Sequence, residues 1–328
     1  MDRVINNPLV DAYAPIREHL AASERVFDDE LASDLSFVGE MCDIVRSYRG
    51  KMLRPALLLL SAEAAGGVRR EHHTLAAVVE MVHMATLVHD DVLDEAAERR
   101  RQPTIRSISG NTAAVLLGDY LISHAFHLCS GLRDQRASRR VGATTNTVCE
   151  GELLQNHHRG NLALREEEYY DIVRRKTGAL TAVACELGAA HAGAEDPVVA
   201  AMHDFGMAAG VAFQIVDDLL DIAGEQREVG KSLGRDVALG KATLPVIHCL
   251  ASTSAIAKSE VASMLRGERP HDARRLATLL RETDSMEYAM DAARAQVEMA
   301  LTKLSSLSPS EAKASLTSLA ELITHRRM

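Results

Sequence analysis

The chain has 328 residues, 47% of them apolar and 25% charged, which is enough for a substantial core and ordinary for a water-facing surface. A formal net charge of −9 weighs against a general nucleic-acid binder, which carries a broad basic face. Aromatics make up only 3%, with no Trp, so the core must be built from Leu, Val, Ala, Met and Ile, a composition that favours helices over sheets.

Apolar residues recur at helical spacing along almost the whole chain. Met1 to Pro8 lacks the apolar centre of a signal peptide. The spacing predicts helices over 9–24, 29–47 and 54–66. Before the third lies Arg49-Gly50-Lys51-Met52-Leu53-Arg54-Pro55. No strand precedes that stretch, so it is neither a P-loop nor a dinucleotide fingerprint. Helices over 71–93, 110–131 and 136–157 follow. The first of these is apolar around most of its circumference from Leu75 until it meets His89 and the motif Asp90-Asp91-Val92-Leu93-Asp94. A basic run, Glu98-Arg99-Arg100-Arg101-Gln102-Pro103-Thr104, comes one turn later. Next are helices over 166–191, with the basic patch Arg174-Arg175-Lys176-Thr177-Gly178, and over 196–223. The latter ends on Asp217-Asp218-Leu219-Leu220-Asp221, 127 residues after the first motif. Lys231 and Lys241 lie in the Gly-rich stretch beyond it, and helices over 241–252, 256–266, 270–281, 284–306 and 309–325 complete the chain.

No low-complexity linker divides the sequence, which reads as one all-α domain over residues 1–328. No run of about 18 uncharged apolar residues is present, so no transmembrane segment is expected. The cysteines are scattered and odd in number, without Cys-x-x-Cys, as expected for reduced thiols of a cytoplasmic protein.

Helices apolar on all sides are buried in the middle of a bundle. Two such helices therefore carry acidic motifs to the mouth of a core. In each motif the first and last Asp share a helix face. Three carboxylates on half a turn repel one another unless a cation sits among them. Mg²⁺ takes oxygen ligands and commonly bridges one or two carboxylates to substrate phosphates. Arg forks onto phosphate oxygens, and glycine lets backbone approach an anion. The basic clusters thus offer cations for two diphosphates. Other features read as incidental. Glu80-Met81-Val82-His83 matches one half of a di-iron bundle motif, but no second copy exists. The adjacent pairs His72-His73 and His157-His158 point to different helix faces and are expected to be exposed.

Taken together these residues resemble the trans-isoprenyl diphosphate synthase (polyprenyl synthetase) family. The match runs from Gly50–Pro55 through Glu80–Thr104, Gly118-Asp119, Glu150–Gln155, Lys176-Thr177 and Phe213–Asp221 to Gly240–Pro245. The resemblance implies an isoprenoid-synthase helical bundle around a central cavity, as a homodimer, forming a single polyprenyl synthase domain. It implies head-to-tail condensation of isopentenyl diphosphate onto an allylic diphosphate. Mg²⁺ would be the cofactor, about three ions per site once a diphosphate is bound. Asp90, Asp91 and Asp94 resemble the first magnesium-binding motif, and Asp217, Asp218 and Asp221 the second. Arg99, Lys176, Thr177, Gln214 and Lys231 would hold the allylic diphosphate, with Lys241 beside them. Lys51, Arg54, His83 and Arg100 would hold isopentenyl diphosphate. Arg101 departs from the pattern, standing where the family commonly has Gly, and Ser232–Asp236 alters a usual Pro-containing loop.

The family sets product length by side-chain bulk below the first motif. Here Ala85 and Thr86 are small, so a product of C30 or longer is expected, released to a membrane user. Met81, Val82, Val78 or a facing helix remain alternative floors, which would give C15–C25. Two other readings stay open: a class I terpene cyclase, disfavoured by the second Asp motif, and a non-catalytic subunit of a heteromeric synthase, disfavoured by the survival of both motifs.

Overall fold

The computed structural model describes residues 8–223, 234–268 and 272–325. The expected all-α architecture is present, with one two-stranded hairpin among the described residues. In chain order the helices are α1 (Pro8–Ala12), α2 (Arg17–Glu30), α3 (Ser36–Ser47), α4 (Leu53–Ala65) and α5 (Arg70–Leu93). The hairpin β1 (Glu98–Arg99) and β2 (Gln102–Pro103) leads to α6 (Ile105–Ser130) and α7 (Arg136–His157). Then come α8 (Glu166–Val173), a π turn (Arg174–Gly178), α9 (Ala179–Ala192) and α10 (Asp196–Ala223). After the undescribed stretch follow α11 (Arg235–Ala238), α12 (Leu244–Ser252), α13 (Ala255–Leu265), α14 (Ala273–Glu282), α15 (Ser285–Lys303) and α16 (Glu311–Thr324).

Most helices fall where periodicity puts them, and the exceptions have local causes. The expected helix over 9–24 is broken at Pro15, which lacks an N–H, and α2 instead runs on to Glu30. The next helix begins at Ser36, not 29. Helix α6 starts five residues before Gly110, capped by Thr104, whose hydroxyl accepts from Ser107 N at 3.1 Å. Gly110, with φ of 83°, kinks it and masks that first turn in the sequence. The single helix expected over 166–191 is split by the π turn.

The fold divides into two compact units. One contains the residues up to Thr145 with Leu180–Gly206 and Ala300–Ala320. Its core is aliphatic: α5 packs against α2, α4 and α6, and Leu57–Leu60 and Leu75–Val79 are buried in unbroken runs. The other contains Asn146–Ala179, Met207–Met299 and the residues from Glu321. There α12 packs against α8, α13 and α14.

The segment Asp196–Ile222 is long and apolar enough by length and composition to cross a membrane, although Asp204, Asp217 and Asp218 interrupt it, so that it holds no uncharged apolar run of about 18 residues. In its most apolar window 56% is buried inside the protein, and core packing accounts for that composition.

Candidate active site

In the first unit the C-terminal end of α5 presents the first acidic motif. Asp90 and Asp94 are half-buried on one face, and the Asp94 amide donates to Asp90 O at 2.8 Å to close the last turn. Asp91 points inward, with its side chain only 3% exposed. Arg99, 15% exposed, grips it through Nε at 3.0 and 3.1 Å and through Nη2 at 2.8 Å. The hairpin delivers that guanidinium. Arg100 and Arg101 form its turn with φ of 51° and 64°, the two left-handed central residues of a type I′ turn. A non-glycine residue costs on the order of 1 kcal/mol there, which is why an Arg101 in a glycine place stands out.

Arg100 donates from Nη1 to Tyr48 O at 2.6 Å, and its guanidinium lies against Gly50, where any Cβ would collide with it. Arg54 at the start of α4 has a buried Nε without a hydrogen-bond partner among the described residues. Facing these cations is Glu80, 2% exposed on α5. Burial pushes its carboxyl up to about 7, against the pull of Arg54, Arg100 and Arg49. Burial also holds His83 well below its ordinary range, and Arg54, Arg99 and Arg100 add to this, so the imidazole is neutral. This cluster therefore combines arginines that are half-buried (Arg54) or exposed (Arg100), one neutral ring and a buried acid on the edge of ionising. Lys51 is exposed, and its carbonyl accepts from Tyr13 Oη at 2.8 Å. Ala85 and Met81 are fully buried lower on α5. Thr86 is half-buried, its hydroxyl donating to His83 O at 2.7 Å.

Glu80 should make the stability of the ligand-free protein depend on pH. Its folded value lies above the ordinary 4.5, so its contribution to stability is fully present below 4.5 and is lost as pH rises through about 7. The loss is on the order of 3 kcal/mol for a shift of this size. Urea unfolding across that window should show wild type losing stability relative to Glu80→Gln. Parallel pH profiles would refute the assignment.

In the second unit the site is built on α7, the π turn, α10 and the segment before α12. The Glu150–Gln155 stretch of α7 positions the basic turn. Glu150 pairs with Arg175 at 2.7 Å, while Glu152 and Gln155 hold Lys176, the latter accepting from Nζ at 2.9 Å. Gly151 permits this approach, because a Cβ there would come within 2.7 Å of the Lys176 amide nitrogen. π turns of this kind frequently mark functional sites. Thr177 donates to Gln214 Oε1 at 2.7 Å, and Gln214 Nε2 donates to Asp218 Oδ1 at 2.8 Å. Tyr169 Oη donates to the other Asp218 oxygen at 2.7 Å. Asp218 is 4% exposed. Burial drives its carboxyl well up, Asp236 and Asp217 add to this, and the bonds from Gln214 and Tyr169 oppose it. Asp217 is exposed, and Asp221 accepts from the Asp236 amide at 3.1 Å. Lys241, Lys176, Thr177, Gln214, Asp218 and Asp236 line one pocket together with Tyr169, His158 and Thr243.

The structure thus gathers Asp91 with Arg99, gathers Arg54, His83 and Arg100 around Glu80, and gathers Lys176, Thr177, Gln214, Asp218 and Lys241 in one pocket. Lys231 lies outside the described residues. Glu80, Tyr169 and Asp236 are new to the site. Three expectations of exposure are corrected. His73 is half-buried, its Nε2 3.0 Å from His19 Nδ1. His72 is fully buried, bonded through Nε2 to Gly188 O at 3.0 Å. His158, in the turn just after α7, is half-buried and lines the pocket with Lys176.

Among the described residues, no three His, Cys, Asp or Glu side chains stand close enough to hold a metal alone. The donor set nevertheless fits Mg²⁺, which is bound through one or two carboxylates with substrate phosphates completing the shell. The crowded carboxylates around Asp218 are a place where a divalent cation relieves repulsion.

The family model described as Polyprenyl synthetase matches residues 36–283. The heptaprenyl diphosphate synthase component 2 of Bacillus subtilis (strain 168) is 30% identical over 96% of this chain and 90% of its own length. A crystal structure of a decaprenyl diphosphate synthase from Rhodobacter capsulatus superposes with a TM-score of 0.92 at 33% identity, covering 97% of this chain and 99% of that one. The polyprenyl synthase of Caulobacter crescentus CB15, complexed with calcium and isoprenyl diphosphate, superposes with a TM-score of 0.94 at 29% identity, covering 98% of each chain. Other similar proteins are named octaprenyl and geranylgeranyl diphosphate synthases.

Proposed function

The chain belongs to the polyprenyl synthetase family, and from that premise we propose that it condenses isopentenyl diphosphate head to tail with an allylic diphosphate to give a trans-polyprenyl diphosphate. The observation that carries this reading is the Asp218 pocket, where carboxylates and lysines meet around a buried hydrogen-bonded hub.

Asp90 and Asp94, with Asp91 behind them, and Asp217, Asp218 and Asp221 would hold Mg²⁺. When bound, Mg²⁺ supplies charge neutralisation to a departing diphosphate. Lys176 and Lys241 add fixed positive charge on the allylic diphosphate, with Arg99, Thr177 and Gln214, and Lys231 is assigned to the same diphosphate. Groups fixed in this way stabilise the negative charge that develops as the allylic carbon–oxygen bond breaks. Arg54 and Arg100 hold isopentenyl diphosphate with Lys51 and neutral His83; the unpartnered Arg54 Nε supports this, being a donor that an incoming phosphate satisfies. The double bond of isopentenyl diphosphate attacks the allylic carbon, and one proton is lost, for which the released diphosphate is a suitable acceptor. The family match runs unbroken from residue 36 to 283, which supports a single synthase domain.

The decisive assay supplies Mg²⁺, labelled isopentenyl diphosphate and a panel of allylic primers. Condensation is expected with at least one primer; failure with every primer, at verified fold, sinks the proposal.

For product length we favour C30 or longer. Ala85 lies about 7.5 Å below Asp90 at 1.5 Å per residue, and it offers no bulk there. Ala85→Phe should shorten the product, read by chromatography of the dephosphorylated polyprenols. An unchanged length moves the floor to Met81 or beyond.

A second copy of the chain is the preferred partner. Val115 and Phe126 on α6 are exposed about 20° apart around the helix, and Leu116, about 100° round from Val115, is 62% exposed. The Bacillus relative is named as a component, which favours a second reading in which an unlike chain takes that face. Light scattering and activity of the isolated chain separate the two. The five cysteines are all free thiols, which supports a cytoplasmic setting.

A further inference from the structure

The pocket around Asp218 contains a polar group that no role above uses. Thr243 is 5% exposed, lines the pocket, and its hydroxyl oxygen is buried without a hydrogen-bond partner. It is also the N-cap of α12, in the extended conformation that caps adopt (φ −92°, ψ 168°). A threonine there ordinarily accepts a hydrogen bond from the second or third helical N–H. The second helical residue is Pro245, which has none, and the hydroxyl makes no capping bond to the third. The helix is nevertheless well started, with Ile247 N donating to Thr243 O at 2.9 Å.

Buried hydroxyls are normally paired, and an unpaired one needs an explanation. A helix start without a side-chain cap carries partial positive charge and suits an anion. The loop leading into it is firmly held: Lys241 N donates to Asp236 O at 2.8 Å, and Gly160 N to Gly240 O at 2.8 Å. The hydroxyl and helix start are therefore set in place before any ligand arrives. Lys241 and Lys176 line the same pocket, and so do the carboxylates Asp218 and Asp236. Lone phosphate would meet those carboxylates unfavourably, whereas a diphosphate accompanied by Mg²⁺ suits both signs of charge.

The geometry points to Thr243 Oγ1 and the uncapped start of α12 as a phosphate-oxygen subsite for the allylic diphosphate, with the hydroxyl donating to a non-bridging oxygen. This deepens the proposed function and rests on it.

The probe is inorganic pyrophosphate with Mg²⁺, titrated calorimetrically into the full chain, alongside thermal unfolding of each ligand-free variant. Thr243→Val removes the hydroxyl at nearly constant shape, and Thr243→Ser keeps it. Loss of a hydrogen bond to a charged oxygen is expected to weaken pyrophosphate binding about tenfold or more in Thr243→Val. Thr243→Ser should stay within about threefold of wild type. Ligand-free Thr243→Val should unfold at or above the wild-type temperature, since it removes an unsatisfied buried group. The KM for the allylic primer should rise with the dissociation constant. Wild-type affinity in Thr243→Val overturns the subsite while leaving the proposed function intact. So does a loss of affinity that Thr243→Ser shares and that accompanies loss of ligand-free stability, because the hydroxyl is then structural. A wild type that neither binds Mg²⁺–pyrophosphate nor condenses primers overturns both.

Discussion

Asp91→Ala should lower the unfolding free energy of the protein by about 3–5 kcal/mol, as removal of one partner from a buried ion pair does. Three contacts of 2.8–3.1 Å tie Asp91 to Arg99, and neither side chain is well hydrated. Without the carboxylate, the guanidinium keeps only a weak bond to Leu87 O at 3.4 Å. Arg99→Ala strands the acid instead and should cost a similar amount. The double variant should be less destabilised than the sum of the two, because no lone charge remains. Urea unfolding of the four proteins measures the cycle. A cost below about 1 kcal/mol for Asp91→Ala would show that the pair behaves as a solvated one.

Asp218→Asn should cut condensation by about 100-fold or more, the size of effect seen when a group that stabilises developing charge is removed. Its ligand-free stability should behave oppositely. The folded protein holds the Asp218 carboxyl well above its ordinary value, so charge at this position is unfavourable until a cation arrives. Stability from this group is present at low pH and lost as pH rises. At pH 8 the neutral amide should therefore unfold no more easily than wild type. Tyr169 and Gln214 can keep partners, since a tyrosine hydroxyl accepts as well as donates. Initial rates and unfolding curves on the same preparation test this. Activity within tenfold of wild type would remove Asp218 from the catalytic assignment.

The helical fold and both acidic motifs were legible because each rests on local spacing. A period of 3.6 residues and an Asp at i and i+4 need no knowledge of the rest of the chain. The finer assignments were not local. Tyr169 stands 49 residues before Asp218, and only tertiary packing makes it a hydrogen-bond partner. Glu80 was visible as half of an unrelated metal motif, but its place in the field of Arg54 and Arg100 depends on burial that spacing cannot report. His72 illustrates the same limit: an adjacent histidine pair suggests two exposed faces, while the structure hides one imidazole against Gly188. Conversely, the oddity of Arg101 was readable in the sequence, and its left-handed conformation supplies the physical reason.

The Asp91–Arg99 clasp spans only eight residues, whereas the Tyr169–Asp218 contact spans 49. Closing the longer loop costs roughly 1.5 kcal/mol more in chain entropy. On an elongating ribosome, residue 99 emerges long before residue 218 is synthesised. The first acidic cluster can therefore organise on a nascent chain with its counter-charge already attached. The second must wait for two thirds of the polypeptide. Order of assembly, and with it exposure of unpaired buried acids to quality control, is thus written into contact separation.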